Sequence, residues 1–135
     1  LVDAQAISST LTYKNIIKLA AQNKKANVII DGTAAYVVSP EMEAELKSTP
    51  KDAGSGLMVL ENGIMNGYPV LVSNAVDGYI GFGVFSNFLI QKVGTPDLVV
   101  DNLSRSKENI TEVNFNDNIA MQVIRPEAFA KLTIA

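Results

Sequence analysis

Apolar residues follow two different rhythms along this chain. Near the start they recur at helical spacing: Tyr13, Ile16, Ile17 and Ala20 share one side of a predicted helix, with Lys14 and Lys18 outside. Thr12 stands where a helix N-cap belongs, its hydroxyl able to accept from a free first-turn amide. Lys24 and Lys25 sit at the far end, where positive charge complements the helix dipole. The apolar run at residues 28–30 fits either a strand or a continuation of that helix, and Asp31-Gly32 reads as a turn. Residues 36–38 are a buried-strand candidate. Ser39 and Pro40 then open a second helix, because serine caps and proline at the first helical position gives up an N–H that has no partner there. Glu41, Glu43 and Glu45 follow, Met42 and Leu46 share a face, and Pro50 ends the helix.

Beyond Pro50 the rhythm shortens. Lys51, Asp52, Gly54, Ser55 and Gly56 belong to a glycine-bearing loop, residues 57–60 read as a strand, and Asn62-Gly63 is a strong hairpin signal. From residue 62 to residue 91 the only charge is Asp77, while Gly63, Gly67, Pro69, Gly78, Gly81 and Gly83 rule out one long buried helix. Short apolar strands are expected over residues 68–73, 79–85 and 88–93, with another at 98–100. Residues 101–109 are polar and mixed in charge, as in a connector. Residues 110–115 and 119–124 read as two strands around a turn at Asn116-Asp117-Asn118. Pro126 starts a last short turn or helix, with Phe129 and Leu132 inward, and residues 1–9 are expected to be irregular. Helices mixed with antiparallel strands give an α+β class.

The length of 135 residues suits one ordinary domain with a core of its own. Zero cysteines exclude a disulfide framework and thiolate chemistry. The charged share of 19% lies below the usual ~25%, which leaves apolar surface for subunit contacts. A net charge of −3 disfavours a nucleic-acid backbone as partner, and no run long enough to span a bilayer is present. The first residue is Leu1, so the chain reads as a piece of something longer.

Candidate chemistry is sparse. There is no histidine, which removes the usual general base, metal ligand and triad member together. Asp31, Glu41, Asp52, Glu61, Asp77, Asp97 and Asp117 stand at helix starts and turns, where carboxylates cap. A Ser–Lys dyad from Ser48 or Ser55 with Lys47 or Lys51 has no spacing to single it out. The glycines from Gly78 to Gly83 are flanked by strand residues rather than set between a strand and a helix, so they read as bends or close approaches, not a dinucleotide fingerprint. Tyr79, Phe82, Phe85 and Phe88 lack a basic groove for base stacking, and Arg105, Lys107 and Arg125 are too few for a phosphate track. No catalytic residue, cofactor or metal is expected.

Order and wording of the segments carry a resemblance. The predicted helix from Leu11 to Leu19 is followed by Ala35-Tyr-Val-Val-Ser-Pro40 and a second short helix. Met65-Asn-Gly-Tyr-Pro-Val70, Ile80-Gly-Phe-Gly-Val-Phe-Ser86 and Val123-Ile-Arg-Pro-Glu-Ala-Phe129 come next. In this order the chain resembles the C-terminal half of the major capsid proteins of tailed bacteriophages, the family with the HK97-type shell fold. Val84 departs from it, standing where the family often has aspartate.

The resemblance implies a structural, non-enzymatic shell subunit of a phage or prophage capsid, self-assembling about five-fold and six-fold axes. Residues 1–100 would form the axial domain and residues 101–135 returning strands of the peripheral domain, with the N-terminal arm, extended loop and spine helix absent. Partners would be other copies of itself, with scaffolding or portal proteins beside them, and neither a specific nucleic-acid site nor a membrane. The location would be the virion, assembled in the bacterial host cytoplasm. The loop bearing Lys51, Asp52, Gly54, Ser55 and Gly56 is the candidate subunit-contact tip. Alternatives are an encapsulin-like nanocompartment shell, a β-rich surface or carbohydrate-binding module, and an enzyme using a carboxylate pair.

Overall fold

The computed structural model describes residues 5–134, with side chains from residue 10 onward. Of the stretch expected to be irregular, residues 1–4 lie outside that range and the rest is a strand, β1 (Gln5–Ser9). There follow α1 (Tyr13–Lys25), β2 (Ala34–Val38), α2 (Pro40–Ser48), β3 (Ile64–Met65), β4 (Tyr68–Val72) and β5 (Tyr79–Val84). The remaining strands are β6 (Phe88–Lys92), β7 (Asp97–Asp101), β8 (Glu112–Asn116), β9 (Ile119–Val123) and β10 (Phe129–Ile134). The α+β class is thus observed.

Local chemistry accounts for most of these elements. The backbone of Thr12 is extended at the start of α1, but its hydroxyl makes no cap bond; its carbonyl instead accepts from the amides of Asn15 and Ile16. Ile16, Leu19, Ala20 and Asn23 form the buried stripe of α1, whereas Ile17, expected inside, is 41% exposed. Ser39 caps α2 as expected, its Oγ accepting from Met42 N–H at 3.2 Å, a contact of the kind worth about 1 kcal/mol. Asn62 and Gly63 take positive φ values of 52° and 73°, and Asn66 and Gly67 repeat the pattern at 53° and 81° between β3 and β4. This is the twist that two-residue hairpin turns require.

Two apolar runs bury part of their side chains without becoming strands. Val28 is buried in an irregular segment after α1. The strand expected over residues 57–60 is reduced to an isolated bridge between Pro50 and Met58, although Val59 and Leu60 are buried. Burial alone does not need a ladder; the backbone here is satisfied by Val59 N–H donating to Thr49 O and Leu60 N–H to Leu46 O.

The main sheet has six strands in the order β1-β10-β5-β2-β4-β3. β1 runs parallel to β10 and β2 parallel to β4, while β5 is antiparallel to both β10 and β2. The crossovers through α1 and α2 step the same way across the sheet, so right-handed connections put both helices on one face. That face carries Tyr36, Phe82, Ile80, Ala130 and Leu132, buried with Ile16 and Leu19 of α1 and Met42 and Leu46 of α2. Tyr36 ties the layers together: its hydroxyl donates to Ile16 O and accepts from Asn66 Nδ2, both at 3.3 Å. Burial pushes its pKa up to about 12.

The described residues up to Phe88 and from Val123 onward form one compact unit and residues 89–122 a second. The second unit corrects a pairing. Residues 110–115 and 119–124 do not form a hairpin with each other; β8 pairs with β7, and β9 with β6. The polar connector at residues 101–109 is therefore the tip of the β7–β8 hairpin, tightened by Asp101 accepting from Leu103 and Ser104 amides. Val93 N–H donates to Asn118 O while Asp97 lies opposite Asn116, so residues 94–96 face residue 117 alone. This bulge uses Gly94 at φ 82° and Pro96, and Lys92 pairs with Asp117 beside it at 2.9 Å.

Candidate interaction surfaces

Groups that look chemical in the sequence have ordinary structural partners. Asp31 accepts from Thr33 N–H at 2.8 Å, from Thr33 Oγ1 at 2.5 Å and from Ser86 Oγ at 2.6 Å. These bonds, that from Ser86 first, hold its carboxyl below the usual carboxylate range. Asp52 is lowered by its bonds from Ser55, and Asp101 by its bonds from Ser104. Ser48 Oγ donates to Glu45 O, Lys47 pairs with Glu43 at 2.7 Å, and Lys51 Nζ lies 5.7 Å above the Tyr13 ring, so no Ser–Lys dyad forms. Among the described residues no cluster of three or more acidic, histidine or cysteine side chains is placed to hold a metal. No described helix is long and apolar enough to cross a membrane.

The bonds to Asp31 join the turn before β2 to the segment after β5, and this gives a pH signature. A carboxyl with a lowered native pKa contributes stability above its ordinary value, and loses it as pH falls through the native one. Ser86→Ala is therefore expected to lower the thermal midpoint at pH 7. The gap to the parent should narrow as pH is taken through ~4 toward 3 in a thermal melt series. A gap constant over that range would show that Asp31 gains nothing from Ser86.

Gly81 and Gly83 lie inside β5, on the face away from the helices, and not between a strand and a helix. A Cβ on Gly83 would lie 2.4 Å from Cδ1 of Phe129, so the ring rests directly on the glycine backbone. Phe129 meets Phe85 edge-on at 5.8 Å. An apolar depression of about 210 Å³ opens beside them, lined also by Val37, Tyr79 and Phe88.

The loop with Lys51, Asp52, Gly54, Ser55 and Gly56 projects between Pro50 and Met58. Asp52 Oδ1 accepts from Ser55 N–H at 2.8 Å, Ser55 Oγ from Leu57 N–H at 3.2 Å, and Gly56 has φ 69°. The loop is braced from within by these bonds, and at its base Lys51 Nζ lies over the Tyr13 ring of α1.

The second unit is built as a surface rather than a core. In the β7–β8 pair, Leu98 faces Phe115 and Val100 faces Val113, and all four share one side of the ribbon. They are 60%, 64%, 52% and 60% exposed. The other side carries Asp97, Asp101, Glu112, Asn114 and Asn116 beside Val99. Ile90, Ile119 and Met121 are exposed in β6 and β9 as well. A soluble monomer seldom leaves so many large apolar side chains together in water; an ordered apolar face opposite a polar one is a face made to be covered.

A family model described as the phage capsid family matches residues 1–134. The chain belongs to that family. Solved structures agree on the fold. The capsid of an empty GTA particle computed with C5 symmetry superposes with a TM-score of 0.72 at 16% identity, covering 98% of this chain and 50% of that one. Mycobacterium phage Che8 gives 0.69 at 17% identity, covering 96% and 53%. A virus-like particle from Pyrococcus furiosus gives 0.63 at 16% identity, covering 96% and 56%. The chain thus spans about half the length of these relatives. No curated protein matches it in sequence. The fold is that of the phage capsids, which does not favour the β-rich binding module.

Proposed function

We propose that the chain is part of a structural subunit of a phage or prophage shell, acting in the virion by packing against other copies and carrying out no catalysis. The observation that carries this reading is the amphipathic ribbon of residues 89–122 in a chain of the phage capsid family. Its apolar side has no partner within its own unit, and a shell supplies partners by repetition. The unit of residues 1–88 and 123–135 is the axial domain in this reading, and residues 89–122 belong to the peripheral domain. The coverage of half of each relative supports a remainder of the subunit that covers the ribbon. Assembly takes place in the cytoplasm of the bacterial host.

Expression of the whole reading frame that contains this chain is expected to give closed particles by negative-stain electron microscopy. Soluble monomers at every concentration would overturn the proposal. Within it, the loop bearing Lys51, Asp52, Gly54, Ser55 and Gly56 is a contact tip between subunits. Lys51→Glu combined with Ser55→Glu is expected to cut particle yield while the domain still unfolds cooperatively, its loss of stability staying within the ~0.5–3 kcal/mol of an ordinary substitution, because Lys51 lies over Tyr13 and Ser55 braces the loop. Unchanged yield would remove the loop from the contact.

A further inference from the structure

We infer that the exposed strip of α1 and the exposed strip of α2 are the two halves of one contact, joining each copy of the chain to the next in head-to-tail order. The inference rests on the shell reading and names the surface through which unit neighbours meet. α1 carries Lys14, Lys18, Lys24 and Lys25 and not one acidic residue. All four lysines are exposed, and among the described residues none of them forms an ion pair. Lys24 and Lys25 suit the end of the helix, but the lysines at its start work against it. Lys14 occupies the first turn, where the dipole favours acids, and Lys14 and Lys18 are a like-charged i,i+4 pair. A local conflict of this kind, in a chain whose net charge is −3, points to a use outside the helix.

α2 is the complement. It carries Glu41, Glu43 and Glu45 against Lys47. Glu43 is occupied by Lys47, which leaves Glu41 and Glu45 exposed as a second like-charged i,i+4 pair. The two strips therefore have the same spacing and opposite sign. Both helices lie in one layer of the same unit, yet no ion pair links them. The strip on α1 thus meets its complement on another copy. A patch that meets a different patch makes a heterologous contact, which closes into a ring when the rotation allows. Beside the lysines lies a shallow depression of about 180 Å³ of mixed character, lined by Ile17, Ala20, Ala21 and Tyr68 together with Lys24 and Asn66. In such a contact the charges set partner and register.

The test is a charge swap on the chain as it stands, read by sedimentation velocity at about 0.02 M and about 0.5 M salt, where screening differs several-fold. One variant carries Lys14→Glu and Lys18→Glu, the other Glu41→Lys and Glu45→Lys. Circular dichroism and thermal melting establish that each is folded. The parent is expected to self-associate at low salt and dissociate at high salt. Each variant alone should associate about tenfold or more weakly. An equal mixture should recover association, since one copy then presents acid on both strips and the other base on both. A parent that stays monomeric at low salt, folded variants that associate like the parent, or a mixture no better than its components would each overturn the inference. So would a parent that binds duplex DNA through the lysine strip without self-associating. Closed particles formed by a reading frame carrying one swapped strip would remove this contact and leave the shell reading standing. Failure of the parent frame to form particles would remove the shell reading, while the solution mixture still decides the contact.

Discussion

Asn23→Asp is expected to cost the domain about 3–5 kcal/mol at neutral pH, the range seen when a buried polar site acquires an uncompensated charge. Asn23 is 0% exposed on the inner side of α1. Its Nδ2 donates to Ala128 O at 2.7 Å, across 105 residues of sequence, and so fastens the first helix to the entry of β10. Its Oδ1 has no partner among the described residues. Aspartate cannot donate that bond in its charged form and sets a carboxylate oxygen against a carbonyl. The buried carboxyl escapes by keeping a proton, so its native pKa rises. A raised native pKa gives stability below the unfolded value that is lost as pH climbs through the native one. The deficit against the parent should therefore be smallest below about pH 4 and grow toward pH 7 in denaturant titrations. Asn23→Leu is the control: it leaves the Ala128 carbonyl unpaired at a cost of about 1–3 kcal/mol and adds no pH dependence. Equal, pH-independent losses for both variants would mean that position 23 reaches water.

Gly83→Val is expected to cost at or above the upper end of the ~1–3 kcal/mol typical of overpacking. The reason is space, not backbone freedom. A Cβ there would stand 2.4 Å and 2.6 Å from two ring carbons of Phe129, and that ring is buried. Gly81 is the internal comparison, since its Cβ would find nothing nearer than 3.7 Å. Gly81→Ala should therefore shift chemical unfolding by less than about 1 kcal/mol, since the added methyl group meets its neighbours at ordinary contact distance. The decisive experiment is a double-mutant cycle. Phe129→Ala alone should cost about 3–5 kcal/mol. Combined with Gly83→Val, it should cost less than the sum by at least about 1 kcal/mol, because the ring that clashes is gone. Strict additivity would show that the ring and the glycine do not share the space.

These two sites mark what the sequence could and could not carry. Ser39-Pro40 announced α2, and Asn62-Gly63 announced a hairpin, because each is a local event whose chemistry lies within a few residues. The apolar runs of β4, β5 and β6 stood out because a chain without charge has to be buried or paired. β1 and β10 did not stand out, since they exist by pairing with each other from opposite ends of the chain. β8 and β9 invited pairing with each other across a short polar turn. The ladder instead runs β7 to β8 and β6 to β9, with the turn opposite a bulge, and no local pattern distinguishes those two arrangements. Close approach at Gly81 and Gly83 was readable as a class of event, but the partner ring of Phe129 was not. Lys14 and Lys18 of α1 were visible as an outer face, and Lys24 and Lys25 as charges at its end. That they lack ion-pair partners is a fact of three dimensions. The loop from Lys51 to Gly56 was legible as exposed, and its contact role rests on assembly alone.

Hydrogen exchange on residues 89–122 tests the central claim most directly, comparing this chain alone with the same residues inside assembled particles. The account predicts rapid exchange of β7, β8 and β9 in the isolated chain, where their apolar side faces water, and slow exchange in the particle, where that side is covered. The same rates in both states would contradict it.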